Sequence, residues 1–88
     1  MGLEKQVKIF KALGDPTRLK IVNLLSEKEL CVCEIIPATG KSQPTTSSHL
    51  KVLYEAGIVK SRRDGLSVYY RLADRKVLNL VKAVDNVI

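Results

Sequence analysis

The stretch Ser42 to Val59, SQPTTSSHLKVLYEAGIV, constrains the fold more than any other part of the chain. Pro44 suits the first turn of a helix, where a missing N–H is no loss. Ser42 or Gln43 can cap it. Leu50, Leu53 and Tyr54 then share one face at i, i+3, i+4. Gly57 stands where a left-handed C-cap is wanted. Thr45, Ser47, Ser48 and His49 are left on or near the outer face. An apolar inner face behind small hydrogen-bonding groups is what a helix needs to enter a DNA groove. Taken alone, the stretch fits an ordinary amphipathic surface helix equally well, and its flanks must separate the two.

The flanks read as follows. Leu3, Val7, Phe10 and Leu13 recur at helical spacing and predict an amphipathic first helix, stopped by Gly14. Asp15-Pro16 is a cap followed by a proline at the first helical position, opening a second helix to about Ser26. Arg18 and Lys20 lie on the polar side of that helix. Leu30 to Ala38 holds Cys31, Cys33, Ile35 and Ile36 in a short third helix ending at or just after Pro37. Thr39 to Lys41 contains Gly40 and reads as a tight turn. Short helix, turn, second helix is the helix-turn-helix plan. Beyond Gly57, Asp64-Gly65 is a two-residue hairpin signal between arms 58–63 and 66–72, which carry Lys60, Arg62, Arg63 and Arg71. A basic hairpin after a helix-turn-helix is a wing. Asp74 can cap a last helix, about 75–88, with Val77, Val81, Val84 and Ile88 on a broad apolar stripe. The fold class expected is therefore mostly α with a β-hairpin wing, in the order α-α-α-α-β-β-α. The apolar breadth of the last helix predicts a homodimer sealed through the first and last helices.

At 88 residues with a formal charge of +6, residues 1–88 form a single domain, and the charge favours a polyanionic partner. No apolar run approaches the roughly 18 residues that span a bilayer, and no secretory signal is visible. A soluble cytoplasmic protein with no membrane partner is expected. The two cysteines are one residue apart, too close to staple a loop, so a reduced thiol pair is the expectation. No nucleophile–base–orienter set is visible, which argues against an enzyme.

The segments ELCVCEI, KSQPTTSSHLKVLYEAGIV and RRDGLSVYYRL, with GDPTRLKIVNLL upstream, together resemble the ArsR/SmtB family of metal-sensing repressors, closest to its arsenite-responsive branch. The resemblance covers essentially the whole chain in order. It implies a winged helix-turn-helix homodimer that binds operator DNA and releases it when a metal or metalloid binds. It also implies that Cys31 and Cys33 are the ligands and that no resident cofactor is required. The arsenite branch commonly has a third cysteine where this chain has Ile36. At Thr46 the family more often has an apolar residue. The zinc-sensing branch draws histidine ligands from the last helix, which here has none.

Two thiolates at i and i+2 of a regular helix point about 160° apart. They can grip one ion only if the pair precedes or distorts the first turn. Soft thiolates select arsenic(III), antimony(III) or copper(I), the inducer expected being arsenic(III) or antimony(III). Buried apolar packing is the alternative for these cysteines, and a redox switch is a third reading. For DNA, Gln43 can contact adenine, and serines and threonines can contact several bases. The expected DNA-facing set is Gln43, Thr45, Ser47, Ser48 and His49, with Lys51 on phosphate and Arg62 and Arg63 from the wing. The alternative for His49 is a metal ligand, and for the wing arginines a solvated strand edge.

Overall fold

The structure, a computed structural model, describes residues 2–88. Five helices and three short strands run in the order α1 (Gly2–Leu13), α2 (Pro16–Leu24), β1 (Leu30–Cys31), α3 (Val32–Thr39), α4 (Gln43–Glu55), β2 (Val59–Asp64), β3 (Ser67–Leu72) and α5 (Arg75–Val84).

The helix boundaries follow from their caps. Asp15 Oδ2 accepts from the backbone N–H of Thr17 at 2.9 Å and of Arg18 at 3.1 Å, with Pro16 opening α2. Gly40 closes α3 with φ +71°. Ser42 Oγ accepts from Thr45 N–H at 3.2 Å and starts α4. At the far end of α4 the N–H of Ile58 reaches the Leu53 carbonyl at 3.0 Å and that of Gly57 the Tyr54 carbonyl at 3.0 Å. This is a Schellman closure, with Gly57 at φ +77° and the buried Leu53 and Ile58 at its hydrophobic contact. Asp74 Oδ1 caps α5 through Lys76 N–H at 2.8 Å.

The core is aliphatic. Ile21 and Val22 of α2, Ile35 of α3, Leu50 and Leu53 of α4, and Ile58 and Val59 leading into β2 are sealed from solvent. Thr46 lies on the inward face beside Leu50 and Leu53, fully buried, its hydroxyl 3.1 Å from that of the buried Thr39. Tyr54, expected on this face, is 54% exposed. The helix rotates 100° per residue, and Leu50 and Leu53 already occupy the narrow arc that meets the core.

Three details differ from the sequence expectation. The hairpin loop is Gly65-Leu66 rather than Asp64-Gly65, because Asp64 still pairs with Ser67. Only glycines take positive φ among the described residues, and a turn with one such position, filled by Gly65 at +64°, avoids forcing a second residue there. The wing gains a strand: β1 pairs antiparallel with β3, Leu30 opposite Tyr70 and Cys31 opposite Tyr69, giving the sheet order β1-β3-β2. Finally, α5 ends at Val84, four residues short of the expected end at Ile88.

The outer helices leave apolar surface uncovered. Leu3 and Phe10 of α1 are 73% and 59% exposed, Val84 of α5 is 59% exposed, and no α5 residue is buried. Phe10, Leu13, Leu19, Leu80, Val81 and Val84 line an open groove of about 460 Å³ between α1, α2 and α5.

Candidate nucleic-acid interface and cysteine pair

The expected DNA-facing residues divide into two groups. Gln43, Thr45, Ser47, Ser48 and Lys51 are exposed along the first turns of α4. Ser42 Oγ also donates to Thr45 Oγ1 at 3.0 Å, which orders the helix start.

His49 does not belong to that outer surface. Its side chain is 19% exposed. Nδ1 lies 3.1 Å from Arg18 Nη1, and Nε2 lies 3.9 Å from Asp15 Oδ2. The ring is turned back onto the start of α2. Expected to face the groove, the ring instead meets a pair of partners 31 and 34 positions upstream that helical periodicity does not register.

The wing arginines also part company. Arg62 grips Glu29 in a fork, Nη2 to Oε1 at 2.6 Å and Nε to Oε2 at 2.9 Å, and lies 4.7 Å from the centre of the Tyr69 ring. The hydrogen bonds from Arg62 hold the Glu29 carboxyl below the usual carboxylate range. Arg62, expected on phosphate, is thus ion-paired to Glu29 and bridges the α2–β1 connection and the wing. Arg63, on the opposite pleat of β2, is exposed and forms no ion pair among the described residues.

The cysteines occupy a joint. Cys31 ends β1 and is the N-cap of α3, in extended conformation at φ −69° and ψ 147°. Its sulfur accepts from Cys33 N–H at 3.1 Å, while Glu34 Oε1 accepts from Cys31 N–H at 3.0 Å. This is a capping box with cysteine in the place of serine. Because Cys31 precedes the first turn, the two side chains turn to the same side, as the ligand reading requires. The sulfurs are joined, with Cα atoms 5.1 Å apart, where a reduced pair was expected. Cys31 is 4% exposed and Cys33 faces solvent.

Cys31 and Cys33 open into a cleft of about 460 Å³ shared with Gln43 and Ser47 of α4 and with Val68 and Tyr70 of the wing. The cysteine joint, the polar start of α4 and the wing thus meet in one place. No cluster of three or more His, Cys, Asp or Glu side chains suited to a metal ion occurs among the described residues. No described helix is long and apolar enough to cross a membrane. Arg18, Glu29, Glu34 and Thr39 were not singled out from the sequence for the site. Of these only Glu34 had a local signal, its capping-box spacing from Cys31.

Residues 15–61 match the model of a family described as bacterial regulatory protein, arsR family. An uncharacterized HTH-type transcriptional regulator of Methanocaldococcus jannaschii is 51% identical, over 93% of this chain and 93% of that protein. A CadC homolog of Staphylococcus aureus, a cadmium resistance transcriptional regulatory protein, is 49% identical over 85% of this chain. The arsenical resistance operon repressor of Escherichia coli is 45% identical over 90% of this chain. The chain spans 63% of the CadC homolog and 68% of the E. coli repressor. Among solved structures, the homodimeric winged helix-turn-helix DNA-binding domain of a possible ArsR-family regulator from Mycobacterium bovis superposes with a TM-score of 0.89 at 38% identity, covering 97% of this chain and 79% of that one. Sequence, fold and relatives agree, and the chain belongs to the arsR family of bacterial regulatory proteins, a winged helix-turn-helix transcriptional regulator and not an enzyme.

Proposed function

We propose that this regulator is a homodimeric repressor that leaves its operator when arsenic(III) or antimony(III) binds the reduced Cys31 and Cys33. The observation that carries the reading is the shared cleft. A ligand held by the two sulfurs sits against Gln43 and Ser47, the residues poised to read bases, and against the wing.

On the DNA side, Gln43, Thr45, Ser47 and Ser48 meet base edges, and Lys51 and Arg63 meet phosphates. The exposed faces of α1 and α5 are covered by a second copy, in keeping with the homodimeric M. bovis domain. Two copies then read half-sites about one helical turn, roughly 34 Å, apart.

On the ligand side, the donor set is two soft sulfurs, with no third His, Cys, Asp or Glu clustered beside them among the described residues. That fits a trivalent, thiophilic centre whose remaining position is filled by a small thiol or water. It does not fit zinc, which takes about four protein donors in a structural site. The joined sulfurs must first be reduced by a dithiol, whose two electrons and two protons convert the bond to two thiols. Useful control of DNA occupancy needs a coupling of about 1–3 kcal/mol between the two sites.

The joined sulfurs support a second reading, in which formation and reduction of the Cys31–Cys33 bond is itself the signal and no metal is involved. One experiment separates the two. Reduced protein is titrated into a fluorescent operator duplex with and without arsenite, and oxidised protein into the same duplex. Release by arsenite that is abolished in the double variant Cys31→Ser, Cys33→Ser supports the metalloid reading. Arsenite, antimonite and copper(I) all without effect, with affinity differing between the oxidised and reduced forms, transfers support to the redox reading. Failure to bind any upstream duplex at low salt overturns both.

A further inference from the structure

His49 is the single histidine of the chain, and its surroundings fix its protonation pattern. Arg18 has no acceptor atoms, so at 3.1 Å its Nη1 donates and His49 Nδ1 must present a lone pair. The ring proton is therefore on Nε2, the nitrogen directed toward Asp15 Oδ2 at 3.9 Å. The same guanidinium is committed elsewhere. Nε donates to the Ala12 carbonyl at 2.7 Å and Nη2 to the Lys11 carbonyl at 3.2 Å, both in the last turn of α1. One planar fork thus joins the C-terminal end of α1, the first turn of α2 and the middle of α4. Both carbonyls lie in the last turn of α1, where the helix has no N–H groups of its own left to fill them, although that of Lys11 also accepts from Gly14 N–H at 3.3 Å.

We propose that His49 is a positioning residue, not a DNA contact, acting through Arg18 as a strut that fixes the reading helix to the end of the helix carrying the exposed dimer face. This rests on the DNA-binding reading above. The distance between two α4 helices in a dimer is then set within each copy by the Lys11/Ala12–Arg18–His49 chain of hydrogen bonds. The strut works only while the imidazole is neutral. A second ring proton lands on Nδ1, removes the acceptor and sets two cationic groups 3.1 Å apart. Asp15, the N-cap of α2, and Arg18 in its first turn are the ionisable side chains that ion-pair or hydrogen-bond with the ring among the described residues. Asp15 faces the nitrogen that already carries a proton, so its attraction does not restore the lost bond.

The two roles for His49 predict opposite signs. A histidine meeting DNA phosphate binds tighter as it gains charge. A histidine serving as Arg18's acceptor loosens the complex instead. Operator affinity is measured from about pH 7.5 to about pH 5.5, the span over which imidazoles change charge. The parent protein is expected to weaken by about tenfold over this span, the scale of one charge-assisted hydrogen bond. His49→Asn, whose Oδ1 stands where Nδ1 was, is expected to bind within about threefold of the parent at pH 7.5 and to lose the pH dependence. His49→Leu is expected to bind weakly at both pH values while sedimenting with the same mass as the parent.

A DNA-free measurement accompanies these. The imidazole ¹⁵N shifts at neutral pH should show Nδ1 unprotonated and Nε2 protonated. Affinity that rises on acidification, a protonated Nδ1 at neutral pH, or unimpaired binding by His49→Leu each overturns the proposal. If His49→Leu does not fold, the pH response of His49→Asn still decides. A parent that binds no duplex at either pH sinks the repressor reading instead. In that case the tautomer, with movement of α1 and α4 amide signals on acidification in the parent and none in His49→Asn, decides the strut.

Discussion

The contact between the cysteine helix and the reading helix turns on two hydroxyls, and it makes an asymmetric prediction. Thr39 Oγ1 lies 2.8 Å from the Ile36 carbonyl, 3.2 Å from Lys41 N–H and 3.1 Å from Thr46 Oγ1. Thr39 has one proton, and the Ile36 carbonyl can only accept, so that proton is used there. Thr46 must then be the donor between the two threonines, and Thr39 accepts both from it and from Lys41. Thr46→Val removes a donor from a fully buried position and leaves Thr39 still satisfied by Ile36 and Lys41. The lost bond is worth about 0.5–1.5 kcal/mol, a figure already net of the cost of burying the hydroxyl, and no partner is left unsatisfied. A loss of no more than about 1 kcal/mol is expected. Thr39→Val removes the shared acceptor. It strands the Thr46 hydroxyl and the Lys41 N–H and takes the donor from the Ile36 carbonyl, which should cost about 2–3 kcal/mol. Rotation of Thr46 toward the Ser42 carbonyl, which already accepts from its own N–H at 2.9 Å, would relieve only the first of these. For a domain of this size a gap of about 2 kcal/mol corresponds to roughly 8–16 °C in Tm. Urea and thermal unfolding of both variants and the double variant, at one protein concentration because association adds stability, would measure it. The double variant should be more stable than Thr39→Val alone. A Thr46→Val as damaging as Thr39→Val, or a strictly additive double variant, refutes the donor assignment.

Two further predictions concern the wing and the turn. Glu29's carboxyl is held below its ordinary range by Arg62, so its contribution to stability is present above the unfolded carboxylate range and is lost as pH falls through the lower folded value. Glu29→Gln should therefore be less stable than the parent at pH 7, with the difference closing in acid. By freeing Arg62 it should steepen the slope of log affinity against log salt by up to about 0.9, one added phosphate contact; an unchanged slope would place Arg62 away from the backbone. Gly40→Ala meets no atom within 4 Å but must keep φ near +71°. It should cost about 1–2 kcal/mol through backbone conformation alone, with Gly40→Asn milder, and equal unfolding curves for Ala and Asn would contradict that cause.

What the sequence disclosed was mainly what is written locally. Asp15-Pro16, Ser42, Gly57 and Asp74 mark helix ends through bonds to residues two to five positions away, so their effect is visible in a short window. The i, i+3 recurrence of Leu50 and Leu53 marks the core for the same reason. Strand β1 was not legible, because two residues paired through their backbones leave no alternation to read. The partners of His49 and Arg62 were not legible because Arg18 and Glu29 are distant in sequence, and a charged group near a DNA-reading element looks available until its partner is seen. Tyr54 shows the limit of periodicity: the spacing admitted three residues to the inner face, and the core had room for Leu50 and Leu53.

The meeting of β1 and α3 has a kinematic consequence. The strand ends at Cys31 and the helix begins at Val32, with no connecting residue between them. A loop there would absorb displacement of the cysteine by bending. Without one there is no slack. A displacement of the Cys31 sulfur therefore bears on two partners at once, the Tyr69 pairing of the wing and the first turn of α3. On the function proposed above, such a sensor would need no long lever, because the part that is pulled would already be the hinge pin of the parts that must move.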